Sequence, residues 1–382
     1  MRHPIIQTPV TLAAAVPRYN DGTSLYRAYG PLAVLMRLEP NLRIWRGTPN
    51  GNGVTCDWSW PDIEQCDVMF LQRPSGPPHV QVAQMAKRAG LPVWVDWDDD
   101  GSCVPDYNPA SASFPPKETA QIMETLAGMA DVITVTTEIL MAKAGPRARL
   151  LPNALNDYQT GWCNKPRQRC VTWRGANGHV GDLATVIGAL GDLHADPAWR
   201  WWFLGDPGWK VNRTMTGDRV RVGPVWTDWQ TMMRNMGDCG SYIHVVPLEF
   251  NEFNRSKSNC AWVEATAAGA VTVAPDMPEW RRPGIVNYRT EGDFAKKVRG
   301  LMAEFDAGKL HPNVALSRAY VAEHLLLSDV NTQRAEIIAE LAERSRPRSR
   351  GKVPAKALVA DEVEDFCKTV PGMVERKEAV LA

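Results

Sequence analysis

Between Glu252 and Pro275 the chain reads EFNRSKSNCAWVEATAAGAVTVAP, a polar, basic loop that runs into a helical pattern and then an apolar strand. Asn254, Arg255, Ser256, Lys257 and Ser258 gather amide, hydroxyl and cationic donors where the helix should begin. A helix N-terminus already attracts anions through its unpaired N–H groups and its dipole. Glu264 follows Lys257 by seven residues, close to two turns, which predicts both side chains on one helix face about 10 Å apart. A cation near the helix start and a carboxylate two turns on suit a diphosphate joined to a ribose diol.

Other clusters also have types and spacing that could do chemistry. In Asp96-Trp97-Asp98-Asp99-Asp100, Asp98 and Asp99 are candidates for a general base, sugar-hydroxyl acceptors or ligands of a hard metal; the alternative is a solvated acidic turn at a strand end. Arg174, Gly175, Ala176 and Asn177 form a small-residue loop whose backbone N–H groups can approach an anion, or a plain strand-to-helix turn. His179 then contacts the ligand or caps the following helix. Asp21-Gly22-Thr23-Ser24 reads as a flexible ligand loop at Gly22 and Thr23, or as an ordinary capped helix start. Trp58, Trp60 and Trp97 sit near expected loops and are candidates for stacking on a sugar or base. Trp199, Trp201 and Trp202 alternate as in a packed strand.

These groups need a scaffold, and the pattern around them describes one. Strand-like runs at Val10 to Val16, Asp67 to Gln72, Pro92 to Asp96, Val132 to Val135 and Arg149 to Leu151 alternate with helical spacing at Leu25 to Leu38 and Val80 to Ala89, the signature of a parallel α/β layer structure. Arg73 and Asp96 fall at strand carboxyl ends, where such sheets bind ligands. After a polar, Gly- and Pro-containing stretch from Asn153 to Arg169 the pattern restarts. Strands are predicted at Cys170 to Trp173, Trp201 to Leu204, Val220 to Val222, Tyr242 to Val246 and Val271 to Ala274, with a helix over Asp182 to His194. Asn313 to Arg344 reads as helical, and the basic, proline-broken segment Arg344 to Lys356 as a linker or arm.

At 382 residues the chain has room for two ordinary domains. Its 43 basic and 43 acidic residues cancel, so no global field holds it on nucleic acid or membrane, and polyanion binding would need a local patch. The eight cysteines form no C-x-x-C pair, which argues against structural zinc and a disulfide framework and for a reducing cytoplasm. Prolines interrupt the apolar run near the N-terminus, and no run approaches the ~20 residues of a membrane span. No G-x-G-x-x-G follows a predicted strand, which argues against a Rossmann dehydrogenase.

In their order along the chain these segments resemble the GT-B glycosyltransferases, especially the large retaining family four and its divergent phage and bacterial members. Ala130 to Thr137 followed by Leu151-Pro152-Asn153-Ala154 looks like the end of that family's first domain. Trp173-Arg174-Gly175 with His179 and Asp182 is similar to the opening of its second. Phe203-Leu204-Gly205 and Val222-Gly223-Pro224-Val225 match strand ends that flank the nucleobase. The resemblance covers roughly residues 10 to 340 and implies an α/β, GT-B fold of two Rossmann-like doubly wound domains facing across a cleft: residues 1–155 for the acceptor, 156–330 for the nucleotide sugar, and 331–382 as a C-terminal helix and basic tail.

The resemblance also implies an activity: transfer of a sugar from a UDP- or GDP-linked donor to an acceptor hydroxyl, with retention of configuration and no required cofactor or metal. In that reading Arg255 and Lys257 neutralise the diphosphate and the departing nucleotide, Asn254, Ser256 and Ser258 line the same loop, and Glu264 accepts the ribose hydroxyls. Gly22, Thr23, Arg174, Gly175, Asn177, His179, Gly205 and Val225 surround the donor, and Asp98 and Asp99 face the acceptor. One departure is visible: the family often carries a second glutamate separated by seven residues from the ribose carboxylate, and at that position, eight before Glu264, this chain has Ser256. The phage-like loop and the Asp-rich pattern resemble enzymes that glycosylate hydroxymethylated bases in viral DNA, with the basic arm as a phosphate contact and the cytoplasm, the host's if the chain is viral, as the setting. A glycan, protein or small-metabolite acceptor stays open, as do a nucleotide-sugar 2-epimerase of the same fold and a non-catalytic module that binds a nucleotide sugar or DNA.

Overall fold

The structure, a computed structural model, describes residues 4–16, 22–46, 48–49, 56–57, 63–158, 160–223, 229–309 and 311–345. Asp21, Trp58, Trp60, Val225 and the basic arm beyond Ser345 lie outside the described residues. Strands β1 (Val10–Ala15), β2 (Leu42–Arg46), β3 (Thr48–Pro49), β4 (Cys56–Asp57), β5 (Val68–Gln72), β6 (Val93–Trp97), β7 (Val132–Val135) and β8 (Ala148–Leu150) belong to the first half. The second half contributes β9 (Gln168–Arg174), β10 (Arg200–Leu204), β11 (Val220–Gly223), β12 (Ser241–Val245), β13 (Val271–Pro275) and β14 (Ile285–Tyr288).

They form two six-stranded sheets, ordered β2-β1-β5-β6-β7-β8 and β11-β10-β9-β12-β13-β14, and a β3-β4 ribbon. Every pairing within the two large sheets is parallel. Parallel sheets are covered by helices on both faces, so their central strands read as continuous apolar runs: β5, β6, β7, β12 and β13 are buried at every position. Counted within each half, the second sheet has the Rossmann order 3-2-1-4-5-6 and the first the order 2-1-3-4-5-6. Each reverses direction once. Those reversal points, between β9 and β12 and between β1 and β5, are where doubly wound sheets open a ligand crevice at the strand carboxyl ends.

Within the two large sheets the strand pattern was legible in the sequence except at β2 and β14, which carry charged or polar residues, and the β3-β4 ribbon was not foreseen. The helix expected over Asp182 to His194 is two pieces, Val180–Ala184 and Ile187–His194. Thr185 breaks the run by bonding back to the Asp182 carbonyl through both its N–H, at 3.1 Å, and its hydroxyl, at 2.6 Å. Trp199 and Trp201 are core, as their spacing suggested, and so is Trp97, whose indole N–H lies 3.5 Å from the Pro74 carbonyl. Trp97 is therefore enclosed and is not a stacking surface.

The chain crosses between the halves twice, and the crossings pair with each other. Leu155 and Leu326 form an isolated parallel bridge, with Leu155 N–H on the Leu325 carbonyl and Leu327 N–H on the Leu155 carbonyl, both at 2.8 Å. After the second crossing, helix Leu327–Arg344 returns to the first sheet. Leu327, Val330, Ala335, Ile337, Ile338 and Leu341 join Leu12, Val68, Phe70 and Trp94 in one core cluster. No helix among the described residues is long and apolar enough to cross a membrane. Because Ile338 is fully buried, Ile338→Ala should cost about 2–5 kcal/mol, measured by urea unfolding; a loss within error of zero would mean that the helix does not complete this core.

Candidate functional site

The carboxyl ends of the first sheet are organised around a buried ion pair. Arg27, at the end of helix Gly22–Arg27, donates from Nε to Asp96 Oδ1 at 2.9 Å and from Nη2 to Asp96 Oδ2 at 2.6 Å. Its remaining nitrogen, Nη1, donates to the Leu151 carbonyl at 2.5 Å and to Asn153 Oδ1 at 3.2 Å. Thr134 donates to Asp96 Oδ2 at 2.5 Å, and Trp94 donates to Thr134 at 2.8 Å. One ion pair at the end of β6 thus ties together the first helix, the neighbouring strand and the segment that leads out of the domain.

Beyond β6 the three acidic residues take different roles. Asp100 caps the next turn through Ser102 N–H and pairs with Lys143. Asp98 is buried, and its Oδ1 lies 3.3 Å from Arg73 Nε without forming a hydrogen bond. Burial pushes its carboxyl up to about 6, against the pull of Arg73. Asp99 Oδ2 lies 3.0 Å from Arg73 Nη2 and 3.8 Å from Lys257 Nζ of the other half. Enclosure alone would raise this carboxyl as well, but Lys257 and Arg73 together hold it below the usual carboxylate range. Arg73 has the left-handed φ of 49°, the one such non-glycine among the described residues, a strain of about 1–2 kcal/mol. That turn after β5 aims its guanidinium at Asp98, Asp99 and, at 3.2 Å, Thr23 Oγ1, across the reversal point of the first sheet.

In the second half, Asn251 caps a short helix, Glu252–Ser256, by accepting from Asn254 N–H at 2.8 Å. Lys257 follows in extended backbone, and a separate helix spans Cys260–Ala268. This corrects the two-turn reading: Lys257 and Glu264 are not on one helix face, because the buried Asn254 and Ser256 side chains anchor an earlier turn. Asn254 donates to Asp182 Oδ1 at 2.7 Å, and Ser256 donates to the Phe253 carbonyl at 2.8 Å. Both are buried scaffold groups rather than open donors. Arg255 points to solvent, so Lys257 is the cation of this loop that meets the other domain. Ser258 accepts from Asn153 at 2.8 Å, and the Ser256 carbonyl accepts from Thr137 at 3.1 Å.

Glu264 is buried, with Oε1 accepting from Tyr26 OH at 2.8 Å and Oε2 from Arg174 Nε at 2.5 Å. Arg174 ends β9, and Gly175 N–H continues the sheet contact to the Leu204 carbonyl at 3.2 Å. Gly205 has φ 122°, and a Cβ there would lie 1.8 Å from the Gly175 carbonyl oxygen, so these two strand-end loops touch backbone to backbone. Asn177 is exposed at the start of a turn ending at His179. His179 Nδ1 lies 2.8 Å from Asp182 Oδ2. Enclosure keeps its pKa below the ordinary value despite Asp182, and Lys257 and Arg174 reinforce that direction. Gly22 is exposed, with open space where a side chain would be.

The structure therefore brings Thr23, Asp98, Asp99, Arg174, Gly175, His179, Gly205, Lys257 and Glu264 to the facing strand ends. It leaves Gly22, Asn177 and Arg255 on the outside, and Val225 is outside the described residues. Sequence reasoning noted Arg73 only by its place at a strand end and missed Tyr107 and His244. His244, on β12, is fully buried with Nδ1 3.0 Å from Thr172 Oγ1, and burial together with Arg174 lowers its pKa to about 3. A lone polar residue inside the apolar run YIHVV was the available signal. Among the described residues no three His, Cys, Asp or Glu side chains converge as metal ligands.

The sequence matches no protein-family model and no curated protein. Solved structures do resemble it. HepE of Anabaena, in complex with UDP and glucose, superposes with a TM-score of 0.62 at 12% identity, covering 87% of this chain and 100% of that one. A glycosyltransferase from Rickettsia africae gives 0.60 at 12% identity over 88% and 100%. An Escherichia coli trehalose-6-phosphate protein bound with UDP-2-fluoro glucose gives 0.58 at 10% identity over 87% and 99%. The chain has the GT-B fold.

Two outcomes test the first-domain geometry. Asp96→Ala leaves Arg27 charged and buried, and should cost about 3–5 kcal/mol in urea unfolding; a loss below 1 kcal/mol would contradict the hub. Asp98 has a folded pKa near 6 against 3.8 in the open chain. Its stabilising contribution is therefore complete below the lower value and lost as pH rises through the higher one. Wild type should lose stability relative to Asp98→Asn across that window, and a pH-independent difference would refute the shift.

Proposed function

We propose that this protein is a glycosyltransferase that moves a sugar from a nucleotide-sugar donor, UDP- or GDP-linked, to an acceptor hydroxyl. The observation that carries the reading is the position of Lys257. It is a cation one short step before a helix start, at the strand ends of the second sheet, with its ammonium 3.8 Å from Asp99 of the facing domain. A diphosphate at this place meets Lys257 and the helix N-terminus together. The UDP complexes among the structural neighbours support the donor class.

In the proposed reaction the bond from the anomeric carbon to the phosphate oxygen breaks as the acceptor oxygen bonds to the same carbon. The acceptor proton passes to the departing phosphate, whose charge Lys257 offsets. Retention and independence from metal follow from the family resemblance. Glu264 receives the ribose diol in exchange for the Tyr26 hydroxyl, while Arg174 keeps it oriented. Asp98 and Asp99 face the acceptor. The proposed acceptor is a hydroxymethylated base in DNA, supported by the phage-like Asn-Arg-Ser-Lys-Ser loop and the basic segment after Arg344.

Calorimetry with UDP, GDP and UDP-glucose checks the donor. Lys257→Ala removes a charge-assisted contact and should weaken binding by about 10- to 100-fold. No binding by wild type, or equal affinity in the variant, would overturn the assignment. Mass spectrometry after incubation with hydroxymethylated DNA checks the acceptor, and a new sugar epimer formed without acceptor would indicate a 2-epimerase instead.

A further inference from the structure

We propose that Tyr107 and Asp182 form a clasp between the domains that positions His179 and decides which of its ring nitrogens is presented to the donor. Tyr107 belongs to the first half, in the turn-rich segment after β6. Its hydroxyl donates to Asp182 Oδ1 of the second half at 2.9 Å. The same carboxylate accepts from Asn254 Nδ2 at 2.7 Å and Glu249 N–H at 2.9 Å, and its other oxygen holds His179 Nδ1 at 2.8 Å. Asp182 is 1% exposed, so its orientation is set by these partners and not by water.

An ionised carboxylate only accepts hydrogen bonds, so the proton of neutral His179 must be on Nδ1 and Nε2 is left as an acceptor. The depressed pKa of His179, caused first by enclosure, agrees with a neutral ring, and Asp182 is held below the usual carboxylate range by its donors despite burial. Among the described residues nothing hydrogen-bonds to Nε2.

The clasp is shaped as well as bonded. A Cβ on Gly181 would lie 2.5 Å from the Tyr107 ring, and one on Gly178 would lie 3.2 Å from Asn108 Oδ1. The first-domain loop therefore rests directly on second-domain backbone, and a side chain at Gly181 would push it off. Phe114, later in the same loop, lies under Arg73, with the guanidinium 5.9 Å from the ring centroid. The loop that seats Tyr107 thus also supports the residue that holds Asp99 opposite Lys257. When the domains part, Asp182 loses the one of its four donors that comes from the first half, and the carboxylate that selects the His179 tautomer is left with Asn254 and Glu249 alone to fix it. What Nε2 meets rests on the donor reading of the site; the clasp does not.

Nitrogen NMR of histidine side chains in the full chain tests the clasp, with His179→Asn identifying the signal. Wild type should show a protonated Nδ1 and an acceptor Nε2 for His179. Tyr107→Phe, which keeps the ring, and Gly181→Ala, which wedges it, should each shift that signal toward a tautomer mixture and weaken UDP-glucose binding about 2- to 10-fold. A wild-type His179 protonated on Nε2, or a signal unchanged in both variants, would overturn the proposal. A wild type that binds no UDP yet gives the Nδ1–H signal supports the clasp and counts against the donor reading.

Discussion

The Arg27–Asp96 pair is the contact on which the arrangement of the site depends. Taking two charges out of water is costly, and the cost is offset only when geometry is good and the remaining hydrogen-bonding capacity is used. Both conditions hold here, through two short parallel bonds and additional partners on each side. Arg334 shows what happens without them. It is buried beside the pair, its Nε has no hydrogen bond, and burial together with Arg27 pushes its pKa down to about 9. Because Arg27 ends the first helix, the pair also fixes the neighbouring Tyr26, whose hydroxyl reaches Glu264 in the other half.

From that anchor a row of polar contacts, one of them an ion pair, links the facing strand ends. Tyr26 meets Glu264, Asp99 meets Lys257, Tyr107 meets Asp182, and Asn153 meets Ser258. Asp98 and Asp99 are adjacent in sequence and shift in opposite directions, because Lys257 reaches only the second of them. A chain with no net charge thus concentrates both signs at one interface.

Much of the scaffold was legible because buried parallel strands are continuous apolar runs, as β5, β6, β7, β12 and β13 are. The loop from Asn254 to Ser258 was legible as polar and basic, but its composition did not reveal that Asn254 and Ser256 turn inward while Lys257 turns across. That distinction depends on Asp182 and Phe253, which are partners in three dimensions, and a helical spacing rule assumes an unbroken helix. Tyr107 was invisible for a similar reason. It lies in a proline- and serine-rich stretch without periodicity, and its meaning comes from a carboxylate 75 positions away.

Helix Leu327–Arg344 has a consequence for how the protein comes into being. The first sheet is made early, yet its core is closed by side chains at Ile337, Ile338 and Leu341, near the end of the described chain. During synthesis the second half can complete its own core while the first still exposes an apolar face. The domain translated first is then the domain finished last, and a ribosome that stalls just after the second crossing leaves a chain with one mature half and one in need of a chaperone.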